Sequence, residues 1–156
     1  MNDNDLEVLQ KLSNSFLHLK TKIILYDLLD KANEEYVKCD YSTGRETLKT
    51  ALNVEPDSPE ALRGLGCIEQ FQNKDYEKAI EYFLKALEFS EHKEIEYTLI
   101  GMAYYLMECL DESLKYFNLA IEENEDYTSA YEGRNQAMLE QHLQIADLQE
   151  ALERYF

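Results

Sequence analysis

Residues that break regular structure are scarce in this sequence. Two prolines and five glycines in 156 residues leave too few stopping points for a sheet protein with many tight turns, and they favour long helices. Cysteine is sparse too. Cys39, Cys67 and Cys109 are far apart and odd in number, and no CxxC occurs. That speaks against a disulfide framework and suits reduced thiols in a cytosolic protein. No apolar run approaches ~18 residues, so no membrane-spanning helix is expected. The start, Met1 to Asp5, is acidic and lacks the basic residues and apolar run of a secretory signal. Positive charge is in deficit: 15 Lys and Arg stand against 32 Asp and Glu, for a net charge of −17. Such a chain repels phosphate backbones and anionic membrane surfaces. The expectation is a cytoplasmic protein that binds neither nucleic acid nor membrane. Its acidity serves solubility, or attraction to a basic partner.

What the chain does contain is hydrophobic residues, 45% of the total, and an internal repeat. Three segments align, beginning at Tyr41, Tyr76 and Leu110. Small residues recur at Gly44, Ala79 and Ser113. Large apolar ones follow four positions later at Leu48, Phe83 and Phe117, and small ones return at Ala51, Ala86 and Ala120. Small, large at +4 and small at +7 share one helical face. The small residues let a neighbouring helix approach, and the large one fills the space beside them. Each segment is therefore read as the second helix of a hairpin. The first helices repeat as well: Leu65-Gly66 corresponds to Ile100-Gly101, and Tyr97 recurs at Tyr131. Asp40-Tyr41 and Asp75-Tyr76 mark the tight turns. Pro56 stops one helix and Pro59 is placed to start the next.

These residues closely resemble the tetratricopeptide repeat (TPR). The second hairpin (59–90) and the third (93–124) match its pattern. The first (26–54) departs from it, with Lys31-Ala32 where Leu-Gly is expected. The middle repeat carries one extra residue, assigned to its Gln72–Asp75 turn, and Glu125 stands where proline is usual. The resemblance implies an all-α TPR superhelix of about three hairpins (26–125). A helical arm (1–25) precedes it and a capping helix (126–156) of ~45 Å, at ~1.5 Å per residue, follows. In the arm Leu9, Leu12, Phe16, Leu19 and Ile23 step by three and four. Asp3 or Asn4 can cap its start. A break is expected near 13–15 or 20–22. The arm can cap the array, dimerise or lie in the groove. In the last helix Met138, Ile145, Leu148, Leu152 and Tyr155 form a stripe suited to covering the end of the array, or to a homodimer contact.

No catalytic constellation emerges. His18, His92 and His142 have no Cys or His at ligand spacing, so no metal is expected. Gly64-Leu65-Gly66 lacks the third glycine of a dinucleotide fingerprint, and no phosphate loop occurs, so no cofactor is expected. The chain does not read as an enzyme.

The family implies a concave surface lined by the first helix of each hairpin. On that pattern Tyr26, Leu29, Asn33, Tyr36 and Val37 face inward from the first hairpin. Arg63, Cys67, Gln70 and Phe71 do so from the second. Ile95, Thr98, Met102, Tyr105 and Leu106 follow from the third, and Glu132, Gln136 and Leu139 from the terminal helix. This set suits another protein or peptide with apolar anchors. Family members that clamp acidic chaperone tails use Lys, Arg and Asn on these helices. Here Asn33 matches one such position, but Leu29, Gly64, Ile95 and Leu99 occupy the others. The layout is also similar to the chaperones of type III secretion translocators, which hold a hydrophobic segment of an export substrate. A self-assembling structural module is the competing class.

Overall fold

The computed structural model describes the backbone of residues 3–155, with side chains at 6–150, 152 and 153. Caps at Asp3 or Asn4, and Tyr155 as part of a stripe, lie outside the described side chains. Seven α-helices account for nearly all of the described residues, and no strand occurs among them. They are α1 (Asp3–Val37), α2 (Tyr41–Val54), α3 (Pro59–Ile68), α4 (Tyr76–Phe89), α5 (Lys93–Leu106), α6 (Leu110–Glu123) and α7 (Thr128–Tyr155). Consecutive helices pair as hairpins, and every substantial contact joins elements one or two apart. The expected architecture of hairpins, arm and long terminal helix is present.

Local chemistry sets the boundaries. Asp40 accepts a hydrogen bond from the Thr43 backbone N–H at 3.2 Å, and Asp75 one from Lys78 at 3.1 Å. Each thereby satisfies an orphan donor at a helix start. Ser58 does the same for Ala61, with Pro59 in the first turn of α3. The three hairpin turns are built alike. Cys39, Lys74 and Glu108 adopt left-handed backbone, at φ 59°, 54° and 61°. In each turn the next residue's N–H returns to a carbonyl of the preceding helix: Asp40 to Glu35, Asp75 to Glu69, and Cys109 to Tyr104.

The middle return spans one residue more than the other two. The extra residue does not lengthen the turn at 72–75, as expected, but underwinds the end of α3 into a π-helical turn at Glu69–Asn73. The hairpin keeps its closing geometry and absorbs the insertion inside the helix.

Packing follows the small–large alternation. Phe83 and Phe117 are essentially buried. A Cβ at Gly66 would collide with the Phe83 ring, and one at Gly133 with the Phe117 ring. At Gly101 it would come within 3.0 Å of Phe117. The departure at Lys31-Ala32 has a steric reason. Ala32 is buried in the cluster that contains Leu48, and the shorter leucine leaves room for the methyl group that a phenylalanine would displace.

The ends differ from expectation. α1 is continuous, with no break near 13–15 or 20–22. A rigid helix that contributes Tyr26 to the first hairpin cannot also fold its start back into the groove. In α7 the buried residues are Ala130 and Ala137, flanking Gly133 against Phe117. The predicted capping stripe of Met138, Ile145, Leu148 and Leu152 is exposed instead. Small residues allow α7 to close on α6, whereas the large apolar ones lie on faces that no described residue covers. No described helix is long and apolar enough to cross a membrane.

Candidate functional site

The first helices of the hairpins bring the predicted inward residues to two cavities. The first, of about 390 Å³, lies between α1, α2 and α3. Its lining includes Tyr26, Leu29, Asn33, Tyr36, Arg63 and Cys67. The second, of about 460 Å³, lies between α5 and α7. Phe71, Thr98, Met102, Tyr105, Leu106, Glu132 and Gln136 line it. An aromatic contact links the two sides: the Tyr36 and Phe71 rings meet edge-on with centroids 6.5 Å apart. Gln136 donates to the Tyr105 hydroxyl at 3.4 Å, joining α7 to α5.

Four predicted residues fall outside both linings. Ile95 is half-buried, while Val37 and Leu139 are exposed away from either cavity. Gln70 is buried, and its amide nitrogen and oxygen find no partner among the described residues. The π turn explains this displacement. Underwinding rotates position 70 toward the core and leaves Phe71 facing out. Leu29 and Thr98 line cavities while being themselves buried, so they form floor rather than rim.

Sequence reasoning missed Asp30, Ala32, Leu48, Glu60, Gly64 and Ile68 in the first cavity, and Phe117, Ser129 and Gly133 in the second. Gly64 carries a usable signal, because a Cβ there would come within 2.9 Å of Leu48. Its absence opens the cavity floor between the two residues.

The electrostatics of the groove differ from its composition. Arg63 is the one basic side chain lining either cavity among the described residues. It is not free: its Nε and Nη2 donate to Glu96 Oε1 at 2.8 and 2.6 Å. Glu96 is fully buried, so this pair ties α3 to α5. Asp30, Glu60 and Glu132 remain as the acidic members of the lining. Behind the groove Glu69, also fully buried, receives Arg45, Asn73 and Lys78. Burial alone would push its carboxyl up, but those hydrogen bonds outweigh it and hold it down to about 2. Burial raises the Cys67 thiol to about 11 and the Tyr36 phenol to about 12. Both therefore stay neutral, uncharged walls of the first cavity.

Among the described residues, no three His, Cys, Asp or Glu side chains gather as a metal site would require. The arrangement offers concave, largely apolar recesses with amide and carboxylate edges.

Comparison with known proteins matches this geometry. Residues 64–93 and 97–127 match the tetratricopeptide repeat family model. The first TPR domain of Spaghetti (RPAP3), solved with an HSP90 peptide, superposes with a TM-score of 0.66 at 15% identity, over 76% of this chain and 93% of that one. The Sgt2 TPR domain from Aspergillus fumigatus gives 0.68 at 17% identity, over 79% and 81%. An O-GlcNAc transferase from Thermobaculum terrenum gives 0.69 at 20% identity, over 76% of this chain but 22% of the enzyme. No curated protein matches the sequence. At these identities the structural likeness is one of fold.

Proposed function

We propose that this chain is a non-catalytic binding scaffold that holds a peptide segment in its concave groove, through apolar anchors flanked by neutral or basic residues. The observation that carries this reading is the pair of cavities aligned on the inner helices, walled by Tyr36, Phe71, Met102, Tyr105 and Leu106. Concave apolar recesses with a few polar edges are what an anchored peptide needs. The likeness to the Spaghetti domain, solved with an HSP90 peptide, and to the second RPAP3 TPR domain, solved with an HSP70 peptide, supports a peptide ligand in general.

The residues argue for a ligand of different charge. An acidic tail needs free cations, and here Arg63 is consumed by Glu96. Asp30 and Glu60 beside it would repel a carboxylate and attract a lysine or arginine. Selection from a displayed peptide library, followed by titration of the best peptide, tests the reading. Selected peptides should carry two apolar anchors and no net negative charge. Replacing Phe71 and Tyr105 together by Ala should weaken that peptide at least ~10-fold, or ~1.4 kcal/mol, with helical circular dichroism unchanged. The acidic peptide SRMEEVD should bind far more weakly. Equal affinity for wild type and the double variant would sink the groove assignment.

A further inference from the structure

From Leu6 to Lys20, where every residue is exposed, α1 projects beyond the hairpins. Six of its large apolar residues form a single seam: Leu9, Leu12, Phe16, Leu19, Ile23 and Tyr26. Their spacing alternates three and four without a slip, a period of 3.5 residues. That is the repeat of a coiled-coil seam, in which Leu9, Phe16 and Ile23 take a positions and Leu12, Leu19 and Tyr26 take d positions. Every one of the six is between 53% and 72% exposed. The opposite side of α1 holds Leu25, Leu29 and Ala32, which are buried against the hairpins. From Leu9 to Ile23 the seam thus faces away from its own body, and Tyr26 reaches the first cavity.

We propose that the seam is covered by the same seam of a second copy, as a parallel two-stranded coiled coil over residues 9–26. Charge picks out the partner. From 8 to 26 there is no Asp or Glu, and Lys11, Lys20 and Lys22 are the charged residues. It is the longest acid-free run in a chain of charge −17. Two copies of so acidic a protein repel at most of their surface and least here. In the parallel register Lys22 at a g position faces Asp27 at the following e position of the other copy, twice by symmetry. Size is sufficient. Roughly 100 Å² or more from each of six side chains, on both copies, gives about 1,200 Å², the lower end of stable interfaces. The seam ends where Asp30 and Asn33 take the next a and d positions. Tyr26, Asp30 and Asn33 all line the first cavity, so pairing runs up to the rim of the groove and no further. The pairing from Leu9 to Ile23 does not depend on what the groove holds.

Sedimentation equilibrium of the full chain over about a hundredfold range of concentration tests it. Wild type should run at twice the chain mass. Leu12→Asp combined with Leu19→Asp should run at the chain mass, with the thermal transition of the hairpins retained because neither residue touches them. In a Cys39→Ser background, Leu9→Cys should form a cross-linked dimer on mild oxidation, since the two substituted positions are adjacent only in the parallel arrangement. A monomeric wild type overturns the proposal, and so does a wild type that stays monomeric and sediments with phosphatidylserine vesicles. A double variant that still dimerises overturns the seam, and a dimer that fails to cross-link overturns the parallel register.

Discussion

Glu69 shows how far a single side chain can depart from what its neighbours in the sequence suggest. It sits in the stretch Glu-Gln-Phe-Gln-Asn, where no adjacent residue marks it as the buried one. The structure buries it fully and surrounds it with Arg45, Asn73 and Lys78. Partners 24 and 9 positions away have no local signature, and the same holds for Arg63 and Glu96, 33 apart. Because the folded carboxyl is held down to about 2, below its unfolded value near 4.3, its stabilisation is complete above that unfolded value. It is lost as pH falls toward 2. Glu69→Gln should cost about 2–3 kcal/mol at pH 7, since it leaves Arg45 without its counter-charge. The gap between variant and wild type should narrow between pH 4.5 and 2. Urea titrations across that range check both. A gap that is constant with pH would mean that Glu69 contributes shape rather than charge.

At the scale of elements, the hairpins were legible because small–large–small spacing is a direct record of interhelical distance. Leu48, Phe83 and Phe117 needed no structure to be placed. Two things were not legible. The extra residue of the middle repeat has equal room in a turn or in an underwound helix, and only closure of the hairpin decides for the π turn. Gln70 is buried outside both cavity linings for that reason. The large apolar residues of α7 give the same period whether they face the array or the solvent. The contact was instead signalled by Ala130, Gly133 and Ala137, whose smallness carries little hydrophobic weight. The turns carry a cost that substitution can recover. Glu108 holds a left-handed conformation that disfavours a side chain by about 1–2 kcal/mol. Glu108→Gly should therefore gain about 0.5–1 kcal/mol after its own entropic cost. Lys115→Gly, on the exposed middle of α6, should lose about 1 kcal/mol. Thermal denaturation of both variants separates turn geometry from a general tolerance of glycine.

For the whole molecule, the strongest legible property is charge. With 32 acidic and 15 basic side chains, self-repulsion works against the compact state and against any acidic ligand. Raising sodium chloride from about 20 mM to about 0.5 M shortens the screening length well below the spacing of most surface charges. Stability should rise by about 1 kcal/mol, roughly 2–4 °C in melting temperature for a chain of this size. The Glu69 and Glu96 pairs are buried and should be little affected, so a fall in melting temperature would mean that exposed ion pairs outweigh repulsion.

Packing between near neighbours alone, noted above for the helices, also bears on how the protein is made. No helix waits for a distant partner, so little loop-closure entropy precedes the first stabilising contacts. Chains of this kind fold on the microsecond-to-millisecond scale. During synthesis, at about 5–20 residues per second, α1 and α2 can pair long before α5 exists. The two cavities would then form in order, the one beside Tyr26 taking shape while Tyr105 is still in the ribosome.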